Sequence, residues 1–155
     1  MPSILFVCTG NQFRSPIAAE TFRQQLKRDG RGADWRVTSA GTWTVSGQPV
    51  FTWSKEIARS MGIDISGHTT KSVDAKLLQE ADLVLVMEAG HKEAILVEFP
   101  FARGKVRLLS EVLEGMPFDI PDPAGSAEEA NEILRELVGM IRSQSWKIYE
   151  LFRAN

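Results

Sequence analysis

Residues 4–20 read ILFVCTGNQFRSPIAAE, and this stretch decides the fold. The apolar run at its start predicts a short buried strand. Gly10 tolerates the backbone of a tight turn, and Pro16 suits the first position of a helix that Ser15 would cap. The stretch therefore predicts a strand, a turn and a helix in direct succession, which is the opening unit of an α/β fold.

The same stretch carries a thiol and a guanidinium, Cys8 at the end of the strand and Arg14 at the start of the helix. The N–H groups of a helix N-terminus favour an anion in front of them. Arg14 can hold two phosphate oxygens with its planar fork, and the positive field favours the nucleophilic thiolate of Cys8. The spacing predicts a loop that binds and attacks a phosphate. The alternative is that Cys8 is an ordinary buried core residue.

Length and composition fit a single soluble domain over residues 1–155. The net charge of −2 gives no electrostatic case for nucleic acid or an anionic membrane as a partner. A single cysteine excludes an internal disulfide and a cysteine-rich zinc site, and it suits a reducing cytoplasm. No leader pattern precedes the first strand, and no apolar run is long enough to span a bilayer. We expect a cytoplasmic protein.

Apolar runs alternate with helical patterns along the rest of the chain. The predicted strands are Ile4–Val7, Trp35–Ser39, Leu83–Met87 and Val106–Leu109, and the predicted helices are Pro16–Asp29, Val50–Met61, Ala75–Glu80, Gly90–Phe99 and Ala127–Arg153. This alternation predicts a doubly wound sheet of about four parallel strands flanked by helices. Ligands of such sheets bind at the carboxyl ends of the strands, where Cys8 falls.

A thiolate displaces a phosphate ester only if the leaving oxygen is protonated or already stable, so a general acid is expected near Cys8. The best candidate is Asp122, in a proline-stiffened loop before the last helix. Asp119, three residues earlier, is the alternative. Local chemistry favours Asp122, but both can also be read as loop or capping residues.

These segments resemble, in order, those of the low-molecular-weight protein tyrosine phosphatases. The loop is similar to that family's C-x-G-N-x-C-R-S-P motif. Further similar segments are SAGTW at 39–43, GIDISGH at 62–68, ADLVLVM at 81–87 and DIPDP at 119–123. The resemblance covers almost the whole chain and identifies Asp122 as the general acid.

The resemblance implies an enzyme that hydrolyses phosphotyrosine in proteins through a phosphocysteine intermediate, with no metal and no cofactor. Cys8 would attack phosphorus, Arg14 and the loop amides would hold the phosphate, and Asp122 would protonate the leaving phenolate. The phosphate-binding residues would be Thr9, Gly10, Asn11, Gln12, Phe13, Arg14 and Ser15.

Supporting roles follow from the same resemblance. The Ser15 hydroxyl would donate to the sulfur of Cys8. Asn11 would hold a strained backbone conformation, braced by Ser39 and His68. By itself, a lone histidine in a loop is more often a structural residue than a catalytic one, and the resemblance agrees with that reading.

Aromatic residues are assigned less directly. Trp43 follows a glycine and a threonine, and we expect it to line the rim and stack on the phosphotyrosine ring. Trp35, Trp53 and Trp146 are interpreted as packing residues. His91 is expected at a helix start and receives no role.

Two positions depart from the family pattern. Phe13 stands where the family usually has a second cysteine, so Cys8 has no partner for a protective disulfide. Ala124 stands where many relatives carry an aromatic residue, which predicts a cleft that is more open on that side.

Two other functions compete with hydrolysis. A thiol-linked arsenate reductase shares the fold, but it needs further cysteines or an external thiol partner. A phosphotyrosine-binding protein without activity would need neither a thiolate nor an acid. For the hydrolase we expect a phosphotyrosine protein as substrate, with a bacterial tyrosine kinase as a candidate, and a monomer or weak homodimer.

Overall fold

A computed structural model describes residues 1–123 and 125–153. The strands are β1 (Ser3–Cys8), β2 (Arg36–Gly41), β3 (Leu83–Val86) and β4 (Val106–Leu108). The α-helices are α1 (Arg14–Arg28), α2 (Thr52–Ser60), α3 (Ala75–Glu80), α4 (Ala89–Glu98), α5 (Leu109–Glu114) and α6 (Ala127–Leu151), with short 3-10 helices at Gly32–Asp34 and Pro100–Ala102. Among the described residues, no helix is both long and apolar enough to cross a membrane.

The strands form one parallel sheet in the order β2-β1-β3-β4, which confirms the predicted architecture. From β1 the chain moves first to one side, to form β2, and then to the other side, to form β3. The crossover direction therefore changes at the carboxyl end of β1, where doubly wound sheets open a crevice for ligands. Cys8 is the last residue of that strand.

The core lies on both faces of the sheet, because side chains alternate along β1. Ile4, Phe6 and Cys8 face one apolar cluster, which includes residues of α1, α5 and α6. Leu5 and Val7 face a second cluster with residues of α3 and α4. All four residues of β3 are buried, as its unbroken apolar sequence predicts.

One local prediction about helices is wrong, and one short helix was not predicted. Helix α1 begins at Arg14 with Phe13 at the capping position, and no side chain caps it. Ser15 does not cap because its hydroxyl is used inside the loop, as described below. Helix α5 was not expected, because its six residues follow β4 directly and are too few to give a periodic signal.

The tryptophans differ in their surroundings. Trp35 packs as expected, with ring centroids 5.8 Å from Phe22 and 5.3 Å from Phe152. The packing role of Trp146 is wrong, since it lies on the outer face of α6 and is 56 % exposed. Trp53 is 43 % exposed and belongs to the cleft instead of the core.

Candidate active site

Cys8 is buried at the end of β1, and its sulfur lies 3.0 Å from the Ser15 hydroxyl oxygen. That oxygen accepts a hydrogen bond from Asn11 Nδ2 at 2.8 Å. The Ser15 hydrogen is then left to donate, and the sulfur is nearer than the Ala40 carbonyl at 3.4 Å. The arrangement supplies a donor to a thiolate at Cys8.

Asn11 holds the middle of the loop with a left-handed backbone, at φ 57°. Its side chain donates to Ser39 Oγ at 3.0 Å and accepts from the Lys71 N–H at 2.9 Å. His68 Nε2 lies 3.0 Å from its carbonyl oxygen and must donate to it. The structure thus brings Ser39 and His68 to Asn11, which ties a strained residue down on several sides.

The close approach between β2 and the loop explains why residue 41 is a glycine. A Cβ atom at this position would lie 2.5 Å from the Thr9 carbonyl oxygen and 3.1 Å from the Asn11 nitrogen. Just beyond it, Thr42 N–H and Trp43 N–H donate to the carbonyls of Cys8 and Thr9. The loop can pack this tightly only because residue 41 has no side chain.

Arg14 is 1 % exposed and is held by fixed partners. Its Nη1 donates to Glu88 Oε2 at 2.6 Å and to the Ile120 carbonyl at 2.7 Å. Its Nη2 donates to Thr9 Oγ1 at 3.3 Å. Glu88 lies just past the carboxyl end of β3, next to the loop, and its hydrogen bond helps to orient the guanidinium.

Not every donor of Arg14 makes a hydrogen bond to a described residue. A guanidinium carries five N–H donors, and the contacts above use both on Nη1 and one on Nη2. Nε is buried without a hydrogen-bond partner among the described residues. In a guanidinium, Nε–H and one Nη2–H lie on the same edge, which is the fork that binds two oxygens of a phosphate.

The two candidate acids occupy different places. Asp122 lines the same cleft as Cys8, and its Oδ1 lies 3.5 Å from Arg14 Nε. Asp119 is not among the residues that line this cleft, and its Oδ1 accepts the Ala89 N–H at 2.8 Å at the start of α4. The geometry therefore favours Asp122 over Asp119 as the acid and assigns Asp119 to holding α4.

His91 is buried against the loop, although sequence analysis gives it no role. Its Nε2 lies 2.8 Å from Thr9 Oγ1, and its Nδ1 lies 3.0 Å from the Glu88 backbone nitrogen. Burial, and next the positive charge of Arg14, hold the pKa of His91 below its ordinary value.

Comparison with known proteins decides the family. Residues 3–154 match the profile of the low molecular weight phosphotyrosine protein phosphatases. The chain belongs to this family. It is 41 % identical over 128 residues to a putative low molecular weight protein-tyrosine-phosphatase of Klebsiella pneumoniae, covering 83 % of each chain.

Two further relatives extend over nearly the full length. A protein-arginine-phosphatase of Bacillus subtilis (strain 168) is 32 % identical over 147 residues, covering 90 % of this chain and 96 % of its own. The crystal structure of a low molecular weight protein tyrosine phosphatase from T. tengcongensis superposes with a TM-score of 0.85 at 36 % identity, covering 97 % of this chain and 99 % of that one.

The cleft has a volume of about 900 Å³, and aromatic side chains form a wall along one part of it. Phe13 is buried in the loop, and its ring lies 5.2 Å from that of Trp53. Trp53 stacks in turn on Phe51 at 6.1 Å and 19°. Gln12 holds this wall, since its side chain donates to the Pro49 carbonyl and accepts the Phe51 N–H.

The predicted rim residue is not where sequence analysis expects it. Trp43 is 85 % exposed and is not among the residues that line the cleft. Its backbone is bound to Thr9, but Phe51 and Trp53 provide the aromatic surface. Ala124, for which a more open cleft is predicted, lies outside the described residues.

Sequence analysis missed two side chains that hold this phosphatase site, Glu88 and His91. Both follow β3, the strand that pairs with β1. Because parallel neighbours end at the same edge of a sheet, an acidic residue just after a buried strand is the signal that could have found Glu88. His91 has no comparable signal, because its contact with Thr9 depends on how α4 packs.

The two histidines predict how stability depends on pH. Burial lowers the pKa of both His68 and His91 below the ordinary 6.5. Below about pH 6.5 the unfolded chain therefore binds more protons than the folded chain. The free energy of unfolding should fall as the pH drops through this range, by at most about 1.4 kcal/mol per pH unit for each histidine. Urea denaturation at about pH 7.5 and pH 5.5 measures this loss.

Replacing both histidines by asparagine should reduce the difference in stability between the two pH values. The variant is expected to be less stable at both, because hydrogen bonds to Asn11 and Thr9 are lost. An unchanged pH difference in the variant would contradict the prediction.

Proposed function

We propose that the chain hydrolyses phosphotyrosine monoesters of proteins through a phosphocysteine intermediate, without a metal ion. One observation carries the proposal: Nε of buried Arg14 makes no hydrogen bond to a described residue and lies 3.5 Å from Asp122, which lines the same cleft as Cys8. That cleft brings together a binding fork, a nucleophile and an acid. Membership of the phosphotyrosine phosphatase family supports the same reaction.

In the first step the Cys8 thiolate attacks phosphorus, and the bond from phosphorus to the phenolic oxygen breaks. Asp122, protonated, gives its proton to that oxygen, so tyrosine leaves as a neutral phenol. Arg14 and the N–H groups of the loop and the first turn of α1 stabilise the charge on the equatorial oxygens. The product on the enzyme is a phosphocysteine at residue 8.

In the second step water attacks the same phosphorus and the bond to sulfur breaks. Asp122, now a carboxylate, takes a proton from the water, as microscopic reversibility requires. The Ser15 hydroxyl, 3.0 Å from the sulfur, stabilises the departing thiolate. Inorganic phosphate leaves, and Asp122 and Cys8 return to their starting protonation states.

The aromatic wall supports an aryl substrate, because Phe51 and Trp53 offer flat apolar surface beside Cys8. Phosphoarginine is a second candidate, favoured by the 32 % identity to a protein-arginine-phosphatase. A planar guanidinium also stacks on aromatic rings, so the wall alone does not separate the two substrates.

A direct comparison of substrates tests the proposal. The chain should hydrolyse a phosphotyrosine peptide in the presence of a metal chelator, with a kcat/KM at least about tenfold above that for the matched phosphoarginine peptide. Release of inorganic phosphate measures both rates. The reverse preference would assign the arginine substrate, and a requirement for a divalent metal would overturn the mechanism.

The wall itself predicts a selective defect. Phe51→Ala should raise the KM for an aryl phosphate about three- to tenfold with little change in kcat, because the ring contacts the substrate and not the reacting phosphorus. Phe101→Ala is the matched control: Phe101 is 50 % exposed, against 51 % for Phe51, and does not line the cleft. Equal effects of the two variants would remove the wall from substrate binding.

Further parts of the proposal concern the setting of the reaction. A thiolate nucleophile persists best where thiols stay reduced, which supports the cytoplasm as the compartment. We extend the proposal to one catalytic domain over residues 1–155, acting as a monomer or weak homodimer, with a bacterial tyrosine kinase as the candidate phosphoprotein.

A further inference from the structure

His91 is a buried titratable group that the mechanism above does not use. It is 6 % exposed and lies between the loop and the start of α4. Its two ring nitrogens contact Thr9 Oγ1 and the Glu88 backbone nitrogen. Thr9 and Glu88 are also two of the residues that hold Arg14.

The tautomer of the ring follows from its partners. The Glu88 backbone N–H can only donate, so Nδ1 at 3.0 Å must accept. A neutral ring then carries its single proton on Nε2. Nε2 therefore donates to Thr9 Oγ1 at 2.8 Å.

The hydrogen bond from His91 is connected to the Arg14 guanidinium through a single shared acceptor atom. Thr9 Oγ1 accepts both from His91 Nε2 and from Arg14 Nη2. On the other side Glu88 Oε2 accepts from Arg14 Nη1, while the Glu88 backbone is bound to His91 Nδ1. A single imidazole therefore orients two of the partners that fix Arg14.

We propose that neutral His91 is a positioning residue that acts through Thr9 and Glu88 to fix the edge of Arg14 that receives the phosphate. It touches neither substrate nor reacting atoms. The inference rests on the proposed function, because it assigns the Nε edge of Arg14 to the phosphate.

Protonation would break this arrangement at one point. An imidazolium carries hydrogen on both nitrogens, so Nδ1 could no longer accept the Glu88 N–H. The charged groups that face the ring are Arg14 from α1, Glu88 beside α4, and Asp119 and Asp122 from the loop before α6. Burial and Arg14 lower the pKa of His91, which keeps the ring neutral at physiological pH.

The test compares native protein, His91→Asn, Thr9→Val and the double variant. Asparagine at 91 keeps an oxygen that can accept the Glu88 N–H but does not reach Thr9. Sulfate is the probe, because it keeps its charge over the range where histidine titrates, about pH 5 to 8. Sulfate affinity by calorimetry and kcat/KM for an aryl phosphate are measured across that range.

At about pH 7.5 each single variant should bind sulfate about three- to tenfold more weakly than native, with a matching loss in kcat/KM. The double variant should be no weaker than Thr9→Val, because Thr9→Val already removes the hydrogen bond that His91→Asn removes. The native advantage over His91→Asn should shrink as the pH falls below the ordinary histidine value of about 6.5, because only the native ring can gain a proton there.

Asp74→Ala separates positioning from stability. Asp74 caps α3 by accepting the Leu77 N–H at 2.8 Å, far along the chain from the loop. This control should lower the unfolding midpoint and leave sulfate affinity native. Additive losses in the double variant, or a native advantage that is constant with pH, would overturn the positioning role. If native protein did not hydrolyse the aryl phosphate but all sulfate affinities were as expected, the proposed function would be refuted and the positioning role of His91 would stand.

Discussion

Cys8→Ser is expected to lower kcat for an aryl phosphate by at least about a thousandfold while sulfate still binds. A serine hydroxyl stays protonated at neutral pH, and the Ser15 hydroxyl that contacts position 8 is a hydrogen-bond donor and not a base. Arg14 and the loop keep their contacts, which is why anion affinity should survive. Steady-state hydrolysis and sulfate calorimetry measure the two quantities.

The native chain offers an internal check, because Cys8 is its only cysteine. Alkylation of native protein should abolish hydrolysis and should be slowed by sulfate, since the thiol lies in the anion site. Native activity in Cys8→Ser, or full activity after complete alkylation, would rule out the phosphocysteine mechanism.

Asp122→Asn is expected to lower kcat about 10²- to 10³-fold for a phenyl phosphate, which has a poor leaving group. For a nitrophenyl phosphate the loss in the first step should be far smaller, because that phenolate leaves without a proton. A plot of log kcat against the pKa of the leaving group should therefore be steeper for Asp122→Asn than for native protein if a carboxylic acid at 122 donates the proton.

Asp119→Asn is the matched control, with the same change three residues earlier. Asp119 accepts the Ala89 N–H, and the amide oxygen of asparagine can accept it in the same way, so this variant should keep both its stability and its dependence on the leaving group close to native. If Asp119→Asn gave the steeper dependence, the roles of the two aspartates would be exchanged.

The local unit of strand, loop and helix was predictable because its determinants lie within a few residues of one another. The apolar run before Cys8, Gly10 in the turn and the arginine at a helix start each carry a short-range preference. Asp122 could also be proposed, since a proline-stiffened loop near the sheet edge restricts where an acid can lie.

Predictions failed where the three-dimensional path of the backbone decides the contact. Ser15 has the chemistry of a helix cap, but the sulfur of Cys8 and the amide of Asn11 take its hydroxyl. Trp43 and Trp53 are both surface-exposed tryptophans, and only the packing of α2 on Phe13 determines which one borders the cleft. Sequence periodicity holds no information on such contacts.

The way Arg14 is held has a consequence for the speed of ligand capture. The guanidinium is anchored by Glu88, Thr9 and the Ile120 carbonyl, and Asn11 is tied to Ser39, so the receiving site exists before any ligand arrives. An incoming anion meets a guanidinium that is already oriented, so binding should need little rearrangement of the loop. Association should therefore be a single fast phase whose rate rises linearly with ligand concentration, and differences in affinity between anions should arise in their rates of escape.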